Sequence, residues 1–311
     1  MQDKNYKMNN PYKHSDPPIM LLSFVCYADI LGYSNLSKEA INSGKGLEFL
    51  HRLRHGLSKA YERVREHSKG FGIGNDSFFT VKVFTDNIVV GYPLHRPGLD
   101  YGEPELGNIL SIFSEFQVGL ATEGFFLRGG IAFGEHYMDD DIVFGDALLQ
   151  AVDQEKSGGP PRISLSPSAI EKVQHQLGRW GTTGSAPQHE DLMEDADGTI
   201  FLNYLGEAFS VFPDGGIFFD LIEGHQINLI KGLTDYRGNP GVRAKFEWAA
   251  RYHNFVCQEF AERHTIPSSH NADEEYAAAC VEAQRLLDYK IDIESLAATP
   301  CRMKLTPIKL R

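Results

Sequence analysis

Two aspartates carry the chemistry that this sequence suggests. Asp29 lies inside Phe24–Ser34, "FVCYADILGYS", an apolar, aromatic and β-branched run that reads as a buried strand ending at a glycine turn. Asp86 lies in "FFTVKVFTDNIVVGYPL" (Phe78–Leu94), two short strands meeting near Thr85–Asp86–Asn87 in a tight hairpin. An ionised carboxylate in an apolar strand is costly unless something compensates it. In an antiparallel sheet the two elements can be neighbours, which would bring both carboxylates to one point. Two carboxylates at one point repel, and a divalent cation is the natural compensation. Mg²⁺ and Mn²⁺ prefer oxygen ligands, usually one or two carboxylates completed by phosphate oxygens. A lone strand aspartate otherwise serves as a turn cap or a salt-bridge partner, and both readings are open at this point.

The surrounding elements must hold these residues in place. After the turn at Gly32, Leu47, Leu50, Leu53, Leu57, Tyr61 and Val64 recur with a helical period, with Arg52, Arg54 and Lys59 among them. The hairpin follows, then an amphipathic helix, "ELGNILSIFSEFQVGLATEG", ending at Gly124. "FFLRGGIAFGEHY" is a strand in which Gly129 and Gly130 allow another backbone or a ligand to approach closely. "FGDALLQAVDQEK" is a helix opening at Gly145–Asp146, "RISLS" a short strand and "PSAIEKVQHQLGRW" a helix. The order β-α-ββ-α-β-α-β predicts an α+β protein with a mostly antiparallel, ferredoxin-like sheet covered by helices. Thr182–Gly198 reads as a polar loop before a last strand, "TIFLNYLG". From about Phe218 the pattern turns helical: Val242, Phe246, Ala249, Tyr252 or His253, Val256 and Phe260 form one stripe, and "DEEYAAACVEAQRLLDY" a further helix.

The expected organisation is a flexible N-terminal arm over 1–18, a catalytic domain over 19–217 and a helical extension over 218–311 packed on it. The arm is polar and proline-bearing, without the apolar core of a signal peptide. No apolar run among the 311 residues approaches the ~18 of a membrane span. Cys26, Cys257, Cys280 and Cys301 show no CxxC pairing, which suits a reduced, cytoplasmic protein. A net charge of −12 without a Lys/Arg run argues against nucleic acid as a partner. It does not exclude a small anionic substrate, because local donors and metal ions reverse the field within one cleft.

Four segments together resemble the class III nucleotide cyclases, the adenylate and guanylate cyclase family. "DILGYS" resembles the family's D-I-x-G-F-[ST] stretch, and "KVFTD" its K-x-x-G-D hairpin with Thr85 in place of glycine. "RGGIAFGE" resembles the R-[IV]-G-[IL]-x-x-G strand, and "VFGDALLQAVDQE" the x-W-G-x-x-V-N-x-A-x-R-x-E helix. They occur in family order over roughly residues 20–167. The resemblance implies that Asp29 and Asp86, with the carbonyl of Ile30, hold two Mg²⁺ or Mn²⁺ ions. It further implies that the backbone around Leu31, Gly32, Tyr33 and Ser34 receives phosphates, and that Arg128 contacts the triphosphate. The implied reaction is attack of a ribose 3′-oxygen on the α-phosphorus, giving a 3′,5′-cyclic nucleotide and pyrophosphate.

The departures are equally specific. The family's asparagine and arginine, which steady the ribose and the transition-state charge, are replaced by Leu149 and Asp153. Another cation must then serve, with Arg52, Arg54 and Arg128 as candidates, or the domain is catalytically silent. Lys82 keeps the position of the base-reading lysine, but Ile142 replaces the aspartate that accepts adenine's amino group, with Asp141 one residue away. These changes resemble the pyrimidine cyclases of the bacterial Pycsar anti-phage system, as does the run Gly145, Ala147, Leu148, Ala151 and Glu155. That resemblance implies cyclic UMP or cyclic CMP from UTP or CTP, with UTP favoured, and a separate effector activated by the product. It also implies a head-to-tail homodimer with its sites at the interface, and no membrane partner.

Overall fold

The computed structural model describes residues 10–13, 17–70, 80–84, 86–94, 101–157, 159–180, 186, 188–265 and 274–292. Thr85, part of the 182–198 stretch, Cys301 and the ends of both predicted terminal segments lie outside the described residues. The chain runs β1 (Leu21–Ile30), α1 (Tyr33–Asn42), α2 (Gly46–Gly70), β2 (Thr80–Phe84), β3 (Asn87–Pro93), α3 (Glu103–Thr122) and β4 (Leu127–Met138). It continues through β5 (Val143–Gly145), α4 (Asp146–Lys156), β6 (Ile163–Leu165), α5 (Pro167–Trp180), α6 (Gln188–Asp191), β7 (Leu192–Glu194) and β8 (Ile200–Leu202). A 3₁₀ turn (Tyr204–Phe209) leads into α7 (Phe219–Asp235), α8 (Pro240–Arg263) and α9 (Glu274–Gln284).

The architecture is α+β, with a mixed and mostly antiparallel open sheet in the order β2-β3-β1-β4-β6-β8-β7, and β5 paired with β4 outside this path. Among the described residues only the β4–β6 pairing is parallel. The alternation along β1 divides the sheet into two faces. Phe24, Cys26, Ala28 and Ile30 enter one core with Ile88, Val90, Leu127 and Ile131, closed by Leu53 of α2 and by Ile109, Phe113 and Phe116 of α3. Val25, Tyr27 and Asp29 point to the other face, where α4 covers part of the sheet with Ala147 and Leu148. The two β4 glycines owe their presence to backbone approach. A Cβ on Gly129 would strike the Tyr27 carbonyl of β1, and one on Gly130 would strike the Ala151 carbonyl of α4.

Two expectations differ from the fold. The stretch expected as a polar loop over 182–198 contains α6 and β7, because Leu192 and Met193 are apolar enough to add a sheet strand beside β8. The arm over 1–18 is not free throughout. Pro11–Lys13 forms a 3₁₀ turn that buries Tyr12 against His136 and Tyr137, with its hydroxyl donating to Ser23 Oγ at 2.9 Å.

Residues on both sides of the Ile217–Phe218 boundary share one core. Val118, Phe126 and Phe201 pack there with Leu221, Leu229, Trp248 and Tyr252. Polar contacts fix the orientation of α8. Trp248 Nε1–H donates to Asp195 at 2.7 Å, and Tyr252 donates its hydroxyl to Asn203 Oδ1 at 2.8 Å while accepting the Leu205 N–H. A buried relay ties α7 to α8. His253 Nε2 faces the Tyr289 carbonyl at 3.0 Å, and a carbonyl only accepts, so this nitrogen carries the proton. His253 Nδ1 therefore accepts from His225 Nδ1–H at 3.0 Å, and His225 Nε2 accepts from the Tyr204 hydroxyl at 2.8 Å. Each group in the chain is satisfied only while both imidazoles are neutral.

Candidate active site

The register brings the candidate residues to one end of the α4-side face. Asp29 lies opposite Asn87 of β3 and opposite Arg128 of β4. Directly opposed residues point to the same side of a sheet, so the three side chains share a face. Asp86 closes the β2–β3 turn, and the Ile30 N–H donates to its carbonyl at 3.2 Å, which locks the hairpin beside Asp29. Asn87 Nδ2 donates to Asp86 Oδ1 at 3.4 Å, and the Tyr27 hydroxyl donates to Asn87 Oδ1.

Asp29 is compensated in this structure by Arg128. Its Nε donates to Asp29 Oδ1 at 2.9 Å and its Nη2 to Oδ2 at 3.1 Å, the bidentate geometry in which guanidinium and carboxylate bind most strongly. The Asp29 side chain keeps 15% of its surface, so the pair is largely withdrawn from water. Arg128 Nη2 also lies 2.6 Å from Glu155 Oε1 of α4. Glu155 faces the sheet because it continues the inward row of Ala147 and Ala151. Burial, then the charge of Asp29, raises its carboxyl above the ordinary value, with Arg128 opposing. The Tyr27 hydroxyl lies among these charges. Burial pushes it up to about 12, with Asp29, Glu155 and Asp86 adding to the rise and Arg128 opposing it.

The field of the cluster extends to the helical extension. Lys245 of α8 is half-buried, and its ammonium is held below the ordinary lysine value by burial and by repulsion from Arg128, with Asp29 and Glu155 opposing. Neither Glu155 nor Lys245 was among the expected site residues. The glutamate closes the α4 motif and could have been found there, whereas Lys245 has no local signal at all.

The other expected residues are placed as follows. Gly32 adopts a left-handed conformation, φ 73°, that turns the chain into α1. The Leu31 N–H is taken by the Phe126 carbonyl at 2.8 Å, so it is withdrawn from any phosphate. Among the described residues the amides of Gly32, Tyr33 and Ser34 have no partner; the Tyr33 ring itself packs inward against Phe49. Ile30 buries its side chain in the core. Lys82 opposes Val89, which opposes Tyr27, so it stands on the same face, two strands from Tyr27. Arg52 is not brought to the cluster: its guanidinium lies 4.9 Å from the Phe125 ring centroid, with Phe49 beside it. Arg54 is exposed on α2. Leu149 and Asp153 lie on the exposed face of α4, away from the row that carries Glu155.

Among the described residues no group of three acidic, histidine or cysteine side chains converges as a ready-made metal cage. Two carboxylates completed by phosphate oxygens need no such group. Asp29, Asp86 and Glu155 outnumber Arg128 and Lys245, so the donor set has an excess of negative charge and suits a divalent cation once Arg128 turns off Asp29. A cavity of about 430 Å³ lies elsewhere, between α8 and the 204–209 turn, and none of the motif residues line it. Arg128 and Glu155 border a small crevice of about 10 Å³ with Gln154, Arg162 and Ser164. No helix among the described residues is long and apolar enough to cross a membrane. No protein-family model and no curated protein matches the chain.

Proposed function

We propose that this protein is a class III-type nucleotide cyclase that converts a pyrimidine nucleoside triphosphate, UTP in preference to CTP, to its 3′,5′-cyclic monophosphate and pyrophosphate. The observation that carries the proposal is convergence. Asp29, Arg128 and Glu155 come from three separate sequence segments and join in one ion-pair cluster on a sheet face, with the Asp86 carbonyl bonded to the Ile30 N–H beside it. The strand order β2-β3-β1-β4, with α2 and α3 as its crossovers, supports the ferredoxin-like arrangement expected of such a domain.

In this reading Asp29, Asp86 and the Ile30 carbonyl hold Mg²⁺ or Mn²⁺, which when bound supplies activation of the ribose 3′-hydroxyl and neutralisation of the triphosphate. Arg128 leaves Asp29 and meets a phosphate oxygen, with Glu155 anchoring the far side of its guanidinium. The free amides of Gly32, Tyr33 and Ser34 at the start of α1 take a second phosphate. Lys82, on the same face, is placed to meet a carbonyl oxygen of the base. The 3′-oxygen forms its bond to the α-phosphorus as the bond to the β-phosphate breaks, and the hydroxyl proton leaves to water.

Exposed apolar residues support association with a second copy of the chain. Ile142, Phe144 and Leu149 are 55%, 62% and 64% exposed, just before β5, on β5 and on the outer face of α4. A head-to-tail pair would cover them, and Leu149 then reads as an interface residue rather than a lost ribose contact. A cytoplasmic site of action and a separate effector that binds the cyclic product belong to the same proposal.

The test is incubation with each of the four nucleoside triphosphates and Mn²⁺, with products identified by mass. Asp29→Ala and Asp86→Ala are expected to abolish turnover and keep the fold. Absence of any cyclic nucleotide from the native chain overturns the enzyme reading, and cyclic AMP or cyclic GMP as the main product overturns the pyrimidine assignment. The rival is a silent nucleotide-binding domain, favoured by the Arg128 grip on Asp29. It predicts nucleotide binding without turnover.

A further inference from the structure

The carboxylate of Asp86 has to be aimed. β3 begins at Asn87, so Asp86 belongs to the hairpin turn, where no sheet register dictates which way a side chain points. Successive residues of a strand point to opposite faces, and Asn87 already takes the face of Asp29 as its direct partner in the β1–β3 register. On that pattern Asp86 would point away from Asp29. Its backbone is pinned by the Ile30 N–H on its carbonyl, which leaves the direction of the carboxylate open. The Asn87 amide supplies the direction. Its Nδ2 donates to Asp86 Oδ1 at 3.4 Å, a long bond that turns the carboxylate back toward the face of Asp29.

The amide is itself held. Tyr27 precedes Asp29 by two residues on β1 and opposes Val89, two residues after Asn87, so its ring reaches Asn87 along the sheet diagonal. The Tyr27 hydroxyl donates to Asn87 Oδ1. An amide has one accepting end and one donating end, and a carboxylate only accepts. With the oxygen held by Tyr27, the Nδ2 hydrogens face Asp86; a flipped amide would set its oxygen against the carboxylate. Tyr27, Asn87 and Asp86 therefore form a chain of one polarity, from the strand of Asp29 to the hairpin turn. Neither Tyr27 nor Asn87 lies within the motif stretches "DILGYS" and "KVFTD".

We propose that Asn87 is a positioning residue of the cation site: gripped by the Tyr27 hydroxyl, it holds the Asp86 carboxylate on the side of Asp29, so that both can bind one divalent cation. Outer partners of this kind orient metal-binding carboxylates, and losing one costs about 10–100-fold in metal affinity or activity. The inference rests on the cyclase reading for the two aspartates as metal ligands. It explains how a turn residue and a strand residue come to share an ion.

The experiment compares native protein with Asn87→Leu, Tyr27→Phe and the double variant. Tyr137→Phe, which removes a tyrosine hydroxyl from Asp139 instead, is the control. Mn²⁺ binding is measured by electron paramagnetic resonance, the Mn²⁺ dependence of turnover in parallel, and urea unfolding in metal-free buffer beside both. Asn87→Leu is expected to weaken Mn²⁺ binding at least about tenfold and to raise the Mn²⁺ concentration for half-maximal turnover by a similar factor. Tyr27→Phe should give a smaller loss of the same kind. The double variant should match Asn87→Leu, because the hydroxyl acts through the amide. Tyr137→Phe should bind as native. A purely structural role would lower urea stability without moving the Mn²⁺ midpoint. Should Asn87→Leu not fold, Asn87→Ala and Tyr27→Phe decide. Native Mn²⁺ affinity in the variants, single losses that multiply in the double variant, or no Mn²⁺ binding by the native protein overturns the proposal. Cyclic nucleotide made by Asn87→Leu with native Mn²⁺ dependence overturns it too and leaves the cyclase reading standing. Mn²⁺ binding that depends on Asn87 in a protein that makes no cyclic nucleotide upholds the positioning role and removes the cyclase reading.

Discussion

Acidification from pH 7.5 to 5.0 is expected to destabilise this protein through histidines buried in their neutral form. His253 is held at about 4 by burial, with the Tyr289 carbonyl opposing, and His136 is pushed down to about 4 by burial. Both titrate near 6.5 when unfolded. The folded values are depressed, so their stabilising effect is complete above 6.5 and is lost as pH falls toward 4, because the unfolded chain takes up protons that the folded one refuses. At pH 5.0 each histidine costs about 2 kcal/mol relative to pH 7.5, or about 4 kcal/mol together. His225 is depressed further still, by burial and then by His253, and adds a loss of the same sign.

Raised carboxyls work against this, Glu155 among them and Asp191 the most. Burial raises Asp191 from 3.8 to about 6, so at pH 5.0 the folded state gains a proton there and recovers about 1.5 kcal/mol. The net loss from these three groups is about 2.5 kcal/mol before His225 is counted, a large part of the 5–15 kcal/mol typical of a domain. Urea unfolding at the two pH values measures it. His136→Leu should flatten the pH dependence by about 2 kcal/mol whatever it does to stability at pH 7.5. Equal stability at both pH values, or a His136→Leu slope identical to native, refutes the reasoning.

Trp248→Phe removes the indole donor to the buried carboxylate of Asp195, leaves the ring packing largely intact, and should cost about 1–3 kcal/mol in urea unfolding. Arg128→Gln leaves Asp29 facing Glu155 without the cation between them, and should cost about 3–5 kcal/mol in metal-free buffer. Mn²⁺ should restore part of that loss, raising the melting temperature of Arg128→Gln more than that of native protein. A Mn²⁺ effect absent from both proteins would count against cation binding at Asp29.

The elements with clean periodicity were legible in the sequence. The alternation of β1, the β2–β3 hairpin, the helical periods of α2 and α3 and the stripe of α8 all stand close to where the residue pattern places them. α6 and β7 were hidden because "HEDLMED" is dominated by charge, while its two buried residues, Leu192 and Met193, acquire meaning only from their pairing with β8. Tyr12 was hidden similarly: one aromatic in a polar, proline-bearing arm carries no period, and its burial depends on His136 and Tyr137 far along the chain. The site divides along the same line. Asp29, Asp86 and Arg128 are readable from local motifs. The position of α8 is invisible until Phe246 meets Phe126, a contact between residues 120 positions apart with no common pattern.

The pairing of Arg128 with Asp29 joins the two explanations that the sequence leaves open for a buried strand aspartate. The carboxylate is compensated by a salt bridge, and the cluster still contains more acids than bases. The Arg128 guanidinium hydrogen-bonds both oxygens of Asp29 and lies 2.6 Å from Glu155 Oε1, so one cation partly offsets two carboxylates without an ion from solution. On the proposed reading, a divalent cation that arrives with a polyphosphate would take the place of the guanidinium at Asp29, and the guanidinium would turn to the accompanying phosphate with Glu155 still behind it. On that reading Arg128 has a partner of opposite charge both with and without the ligand, and is never left buried and unpaired.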